Sequence, residues 1–305
     1  MATLLATARC LLELGPLRDS ALPLSGRRVL LASPRTEAAP LGFALMQAGC
    51  RPIWCPGVRM EPLDDYSALD DALMRLTEYD VLILLSRHSI DAVAQRWLSL
   101  ADGSIDVVKA MLGASSIEIG VIGSDARHLR GRLGVSPNVV PIEPAARALA
   151  ATLRDLGHVE PGARVLVCTG QWSDADAHPA MAASCLQQLR EGAAEIDCVV
   201  THAILANGNE DALEPELGLL RSGAVDALCA GSAEELQAIA AACAAGTAAS
   251  VAAWPEVLIA LGEETAACAR ELAPEAAVIE LGCSPDNAAV VEALEAHFGG
   301  GKLMF

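Results

Sequence analysis

"DVLILLSRHSIDAV" (Asp80–Val93) and "DALCAGSAEELQAI" (Asp226–Ile239) decide the reading of this chain, because one repeats the other. Ser86 and Ser232 fall in matching places, 146 residues apart. "VIGSDARHL" (Val121–Leu129) pairs with "ALGEETAACA" (Ala260–Ala269), Gly123 against Gly262, at an offset of 139. "RRVLLASP" (Arg27–Pro34) pairs with "ARVLVCTG" (Ala163–Gly170), Val29 against Val165, at an offset of 136. "VVPIEPAARALAATL" (Val139–Leu153) pairs with "AVIELGCSPDNAAVVEAL" (Ala277–Leu294), Leu149 against Leu294, at an offset of 145. Four matches at nearly one offset imply a duplicated unit, two similar lobes, and a natural site in the cleft between them.

Each unit alternates short apolar runs with segments of helical spacing. "RVLLAS" has strand length, and "PRTEAAPLGFALMQAG" then places Leu41, Ala44, Leu45 and Ala48 on one helical stripe before a glycine stop. "RPIWCP", "DVLILLS" and "SIEIGVIG" read as further strands. "DYSALDDALMRLTEY", "RHSIDAVAQRWLSLA" and "SDARHLRGRLG" read as helices. This rhythm predicts an α/β protein of two similar lobes, each a parallel sheet flanked by helices. Pro56–Gly57 and Ala206–Asn209 are the expected crossings between lobes. Residues 1–26 have no partner in the duplication and read as an N-terminal extension. They form a short helix or the remnant of a transit peptide, although Glu13 and Asp19 argue against the latter.

Composition excludes several classes. The net charge of −18 gives no basic face for nucleic acid. Residues 203–305 hold 16 acids against Arg221, Arg270 and Lys302, so the C-terminal third is the acidic part. The longest uncharged run, Leu236–Trp254, is mostly Ala, Gly, Thr and Ser; it reads as buried helix and turn, and no membrane insertion is expected. Ten cysteines stand singly, without zinc-site spacings, and read as buried reduced thiols. With only Lys109 and Lys302 present, lysine Schiff-base chemistry has few candidates.

In open parallel sheets, ligands bind beyond the C-terminal strand ends, where helix N-termini direct free amides outward. Such ends carry Ser86, Ser232, Gly123 with Ser124, Gly262 with Thr265, and Gly170 with Gln171. Each is individually an ordinary helix cap; their recurrence in both halves makes them candidate anion holders. His88 lies near one helix start, and His202 follows Thr201 at a lobe crossing. No GxGxxG, P-loop, GxSxG or HExxH is present.

The ordered motifs from Arg27 to Phe298 resemble the uroporphyrinogen-III synthase family. "DVLILLSRHSIDAV" and "VDALCAGSAEEL" look like its FTS segments, and "VIGSDARHLRGRLG" and "IALGEETAACAREL" like its two G-x-x-T-A segments. The resemblance implies lobe one from 27–57 plus 206–305, lobe two from 58–205, and two crossing strands between them. It implies a cofactor-free, metal-free cyclisation of hydroxymethylbilane to uroporphyrinogen III, with inversion of the last pyrrole ring and loss of water. Ser86, Arg87, His88, Gly123, Ser124, Gly170, Gln171, Ser232, Gly262, Thr265 and Arg35 would then face the substrate carboxylates, with Arg127 as a further compensating base. The family's tyrosine falls on Thr201, leaving Thr201 or His202 near the leaving hydroxyl, and one family threonine falls on Ala126.

Glu234 and Glu235 stand where the family carries neutral residues, and Glu263 and Glu264 flank Thr265. If these carboxylates point into the cleft, an octaanionic substrate is disfavoured; if they face out, the enzyme reading stands. The alternative is a catalytically degenerate relative serving as a binding or scaffold module. A two-lobed periplasmic-type receptor fits the segment order less well. The expected setting is cytoplasmic, or the plastid stroma or an organelle matrix if residues 1–26 are a transit remnant. The expected state is a monomer, or a subunit of an assembly under the alternative.

Overall fold

The computed structural model describes residues 22–172, 178–192, 194–207, 210–245, 254–282 and 285–299. The sheet of lobe one contains β1 (Arg28–Leu31), β2 (Arg51–Trp54), β8 (Ala227–Ala230), β9 (Val257–Leu261) and β10 (Ala277–Leu281), in the order β10-β9-β8-β1-β2, all parallel. The sheet of lobe two contains β3 (Val58–Glu61), β4 (Val81–Leu84), β5 (Glu118–Val121), β6 (Arg164–Trp172) and β7 (Glu195–Ala206), in the order β3-β7-β6-β4-β5. This sheet departs from the all-parallel expectation at one edge, where β3 runs antiparallel to β7.

The duplication is spatial as well as sequential. The central pairs β8–β1 and β4–β6 correspond, with β9 and β5 flanking them. Beyond β5, Val139 bridges Gly120 in parallel, the place that β10 takes beyond β9.

The central strands are continuous apolar runs because helices cover both faces. β4 (Val-Leu-Ile-Leu) and β8 (Ala-Leu-Cys-Ala) are buried at every position. Alternate residues feed opposite cores: Leu82 and Leu84 pack on one side of lobe two, Val81 and Ile83 on the other. Leu30 and Val29 divide lobe one in the same way. The first sheet is covered by α1 (Arg35–Gln47), α8 (Glu210–Arg221), α9 (Ala233–Ala245), α10 (Glu263–Leu272) and α11 (Asn287–Phe298). The second is covered by α2 (Ser67–Met74), α3 (Arg87–Leu100), α4 (Ile105–Ala114), α5 (Asp125–Leu133), α6 (Ala146–Asp155) and α7 (Ala180–Glu191). On α6, Ala146, Leu149, Ala150 and Leu153 are buried, a stripe at helical spacing. The expected helices that fall on described residues are present, residues 246–253 of the expected Leu236–Trp254 helix and turn lying outside them, and α4 is an additional one, capped by Ser104, whose hydroxyl accepts from the Val107 amide. α5 stops at Gly134, whose φ of 66° suits glycine.

The chain crosses between lobes twice, side by side. Val58 pairs with Ala206, the Asn207 amide donates to the Gly57 carbonyl, and the Asn207 side chain donates to the Pro56 carbonyl. Gly57 is needed here: a Cβ would lie 2.5 Å from the Glu235 carbonyl oxygen. Of the N-terminal extension, residues 1–21 lie outside the described residues, whereas Leu24 is fully buried in the core of lobe one. Among the described residues no helix is long and apolar enough to cross a membrane. The eight described cysteines are free, and burial pushes the thiols of Cys50, Cys55, Cys185 and Cys229 up to about 12.

Candidate functional site

A cavity of about 640 Å³ opens between the lobes, at the C-terminal strand ends of both sheets. The two copies of the strand–Ser–helix unit meet there. Ser86 caps α3, its Oγ accepting from the Ser89 amide at 3.1 Å. Ser232 does the same for α9, accepting from the Glu235 amide at 3.3 Å. These bonds satisfy one amide of each first turn.

Ser86, Arg87, His88, Ser124, Gly170, His202, Ser232 and Thr265 line the cavity, as does Arg127. Arg35, Gly123, Gln171, Gly262 and Thr201 do not reach its wall. Gly123 and Gly262 serve as turn positions, with φ of 49° and 104°. Thr265 is buried, and its hydroxyl donates to the Leu261 carbonyl at 3.0 Å. Arg87 is held by Asp125 at 3.1 Å and by the Ser124 hydroxyl at 2.8 Å. Burial raises the Asp125 carboxyl against the opposing pull of Arg87.

Thr201 is fully buried. Its Oγ1 lies 3.0 Å from the Thr169 carbonyl, 3.1 Å from Ser89 Oγ and 3.0 Å from His202 Nδ1. The position that the resemblance assigns to a tyrosine therefore turns into lobe two, away from the cavity. His202 faces the cavity instead. Its Nδ1 meets the Thr201 hydroxyl, which ties the ring to the buried Thr201–Ser89–Thr169 group. Burial, then the neighbouring His88, pushes His202 down to about 3, so the ring is neutral. Burial also lowers His88, whose ring centroid is 5.4 Å from that of His202.

The four glutamates of the C-terminal half have separate fates. Glu263 is exposed and pairs with Arg147 of the other lobe at 2.7 Å. Glu264 borders the cavity. Glu234 reaches across the cleft to accept from the Ala180 amide at 2.7 Å, capping α7. Glu235 is buried beside Ser33 and Gly231, which donate to its Oε2 at 2.9 and 2.7 Å. Glu37, unremarked in the sequence, also lines the cavity, and burial raises its carboxyl. The lobe-one wall is thus acidic and the lobe-two wall basic. Among the described residues, no cluster of three His, Cys, Asp or Glu side chains is placed to hold a metal ion.

Residues 41–292 match the family profile described as "Uroporphyrinogen-III synthase HemD". The chain belongs to the uroporphyrinogen-III synthase family. A curated uroporphyrinogen-III synthase from Synechococcus elongatus is 27% identical over 127 residues, 42% of this chain and 45% of that protein. The chain thus matches less than half the length of that relative. The uroporphyrinogen III synthase of Thermus thermophilus, solved as a selenomethionine-substituted triple mutant, aligns over 90% of this chain and 100% of its own. Its TM-score is 0.58 at 15% identity, a likeness of fold alone. The solved structure supports the two-lobed α/β architecture of this family member.

Proposed function

We propose that this family member cyclises hydroxymethylbilane to uroporphyrinogen III without a cofactor, inverting the last pyrrole ring and releasing water. One observation carries the reading: two matched strand-end helix N-termini, at Ser86 and Ser232, face each other across one cavity. A linear tetrapyrrole with carboxylates along its length needs anion-holding positions on opposite sides, and the lobes, taken as 27–57 plus 206–305 and 58–205, supply one each. Amides of a helix first turn favour a carboxylate, each charged hydrogen bond worth about 1.5–3 kcal/mol. Arg87 and Arg127 add positive charge on the lobe-two wall. The cationic intermediate formed when the hydroxyl leaves is reactive by itself. The protein's task is to hold the chain ends in the geometry for inverted closure.

The carboxylates bear on this unevenly. Glu263 is paired on the surface, and Glu234 and Glu235 accept hydrogen bonds from backbone amides, which leaves Glu264, Glu37 and Asp286 as the other lobe-one acids bordering the cavity. That acidic wall, with Thr201 turned inward, favours the second reading, a catalytically degenerate binding module. A coupled assay with enzymatically generated hydroxymethylbilane separates the two: isomer III in excess supports the synthase reading, and isomer I alone sinks it.

A further inference from the structure

Glu235 sits in the first turn of α9 with its carboxyl folded back onto the end of β8. It is 3% exposed and forms part of the cavity wall. Its Oε2 accepts two hydrogen bonds, from the Gly231 amide and the Ser33 hydroxyl. Gly231 makes the room: a Cβ there would lie 3.1 Å from Ser33 Oγ and 3.3 Å from Glu235 Oε1. Among the described residues no cation pairs with this carboxyl. The titratable groups around it are Glu37 from α1, Cys229 from β8 and Glu234 on its own helix, all of them acids or a thiol. A carboxylate desolvated without a counter-charge is costly, so the group keeps its proton. Burial, then Glu37, pushes it up to about 8, against the smaller opposing effect of the two hydrogen bonds. Since Oε2 is the double acceptor, Oε1 is the oxygen that bears the proton.

We propose that Glu235 is the catalytic acid that protonates the departing hydroxyl of the bilane, an assignment that rests on the synthase reading above. The Oε1–H proton passes to the hydroxyl oxygen, the carbon–oxygen bond breaks, and water leaves. The pyrrole nitrogen's electrons form the exocyclic double bond, giving an azafulvenium cation beside a new Glu235 carboxylate. The substituted α-carbon of the last pyrrole attacks this cation to give a spiro intermediate; its older methylene bond then breaks and re-forms at the ring's unsubstituted α-carbon, which loses its proton to Glu235, so the last ring is inverted and the sum is loss of one water. The other groups at the cavity fit this role less well. His202 is neutral, Thr201 is buried away from the cavity, and Glu37, though also raised by burial, has the Arg87 guanidinium opposing that rise, whereas no cation faces Glu235.

The test is Glu235→Gln, which keeps an oxygen for Gly231 and Ser33 but has no transferable proton. With hydroxymethylbilane as substrate, kcat is expected to fall about 100-fold or more, as for loss of a general acid, with KM within a few-fold of wild type. The wild-type kcat should decline above pH 8, and that limb should vanish in the variant. An unchanged kcat, or a limb that persists in Glu235→Gln, overturns the assignment while leaving the synthase reading in place; a wild type that makes only isomer I defeats the reading itself. A second measurement needs no turnover: in wild-type protein with 13C-labelled glutamate carboxyls, one resonance should titrate near pH 8. If every glutamate titrates below about pH 6, the proposal fails.

Discussion

The buried carboxyl of Glu235 has a consequence for stability that can be worked through and measured. In an unfolded chain a glutamate titrates near 4.5; here burial among Glu37, Cys229 and Glu234 raises it to about 8. Between those values the folded state holds a proton that the unfolded state has released. The stability associated with this group is therefore complete below pH 4.5 and is lost as pH rises toward 8, at about 1.4 kcal/mol per pH unit. By pH 7 the loss amounts to about 3 kcal/mol. Glutamine is neutral in both states and carries no such penalty. Glu235→Gln should thus match wild type within about 1 kcal/mol at about pH 4.5–5 and exceed it by about 3 kcal/mol at pH 7. Urea unfolding of both proteins at pH 5, 6, 7 and 8, followed by circular dichroism, reads the difference directly. A stability gap that stays constant across this range would refute the reasoning, because it would mean that Glu235 ionises in the folded protein at its ordinary pH.

Gly170→Ala should disable the cavity, since a Cβ there would lie 2.5 Å from His202 Nε2 and must displace the imidazole; steady-state turnover would fall while the fold persists. Gly131→Ala, on α5 with open space around it, should instead raise stability by about 0.5–1 kcal/mol in thermal unfolding. Glu234→Ala removes the cap that lobe one places on α7, so spin labels on the two lobes should report a broader separation; an unchanged distribution would mean that the contact holds nothing together. Among the described cysteines, thiol titration with a disulfide reagent should label Cys198 first, because it alone of them is partly exposed, and the fully buried Cys168 among the last.

The architecture was legible because the duplication carries its own check. Strands at the centre of a parallel sheet must be apolar at every position, and "VLIL" and "ALCA" are, each leading to a serine that caps the next helix. The antiparallel edge was not legible. Whether β3 continues one sheet or reverses beside another depends on the partner strand, and β7 lies about 140 residues further on. The cavity wall was legible at Ser86, Ser232 and His202 but not at Thr201. Strand alternation alone puts neighbours on opposite faces, yet it cannot say which face meets α3 and which meets the cleft. The register shift between Thr169 and Gly170 along β6 sets Gly170 opposite His202. Glu235 was hidden for a similar reason. An acid in a helix first turn reads as a surface charge favoured by the helix dipole. Only the approach of Ser33 from the end of β1, 202 residues earlier, together with the missing side chain of Gly231, makes it a buried acid.

The central claim, that this two-lobed family member inverts the last pyrrole ring, is tested most directly by the isomer ratio of its product. Hydroxymethylbilane generated in situ, incubated with the full chain, oxidised and resolved chromatographically, should give predominantly isomer III. Isomer I in the proportion of the protein-free reaction would contradict the account and leave a fold that binds without catalysing.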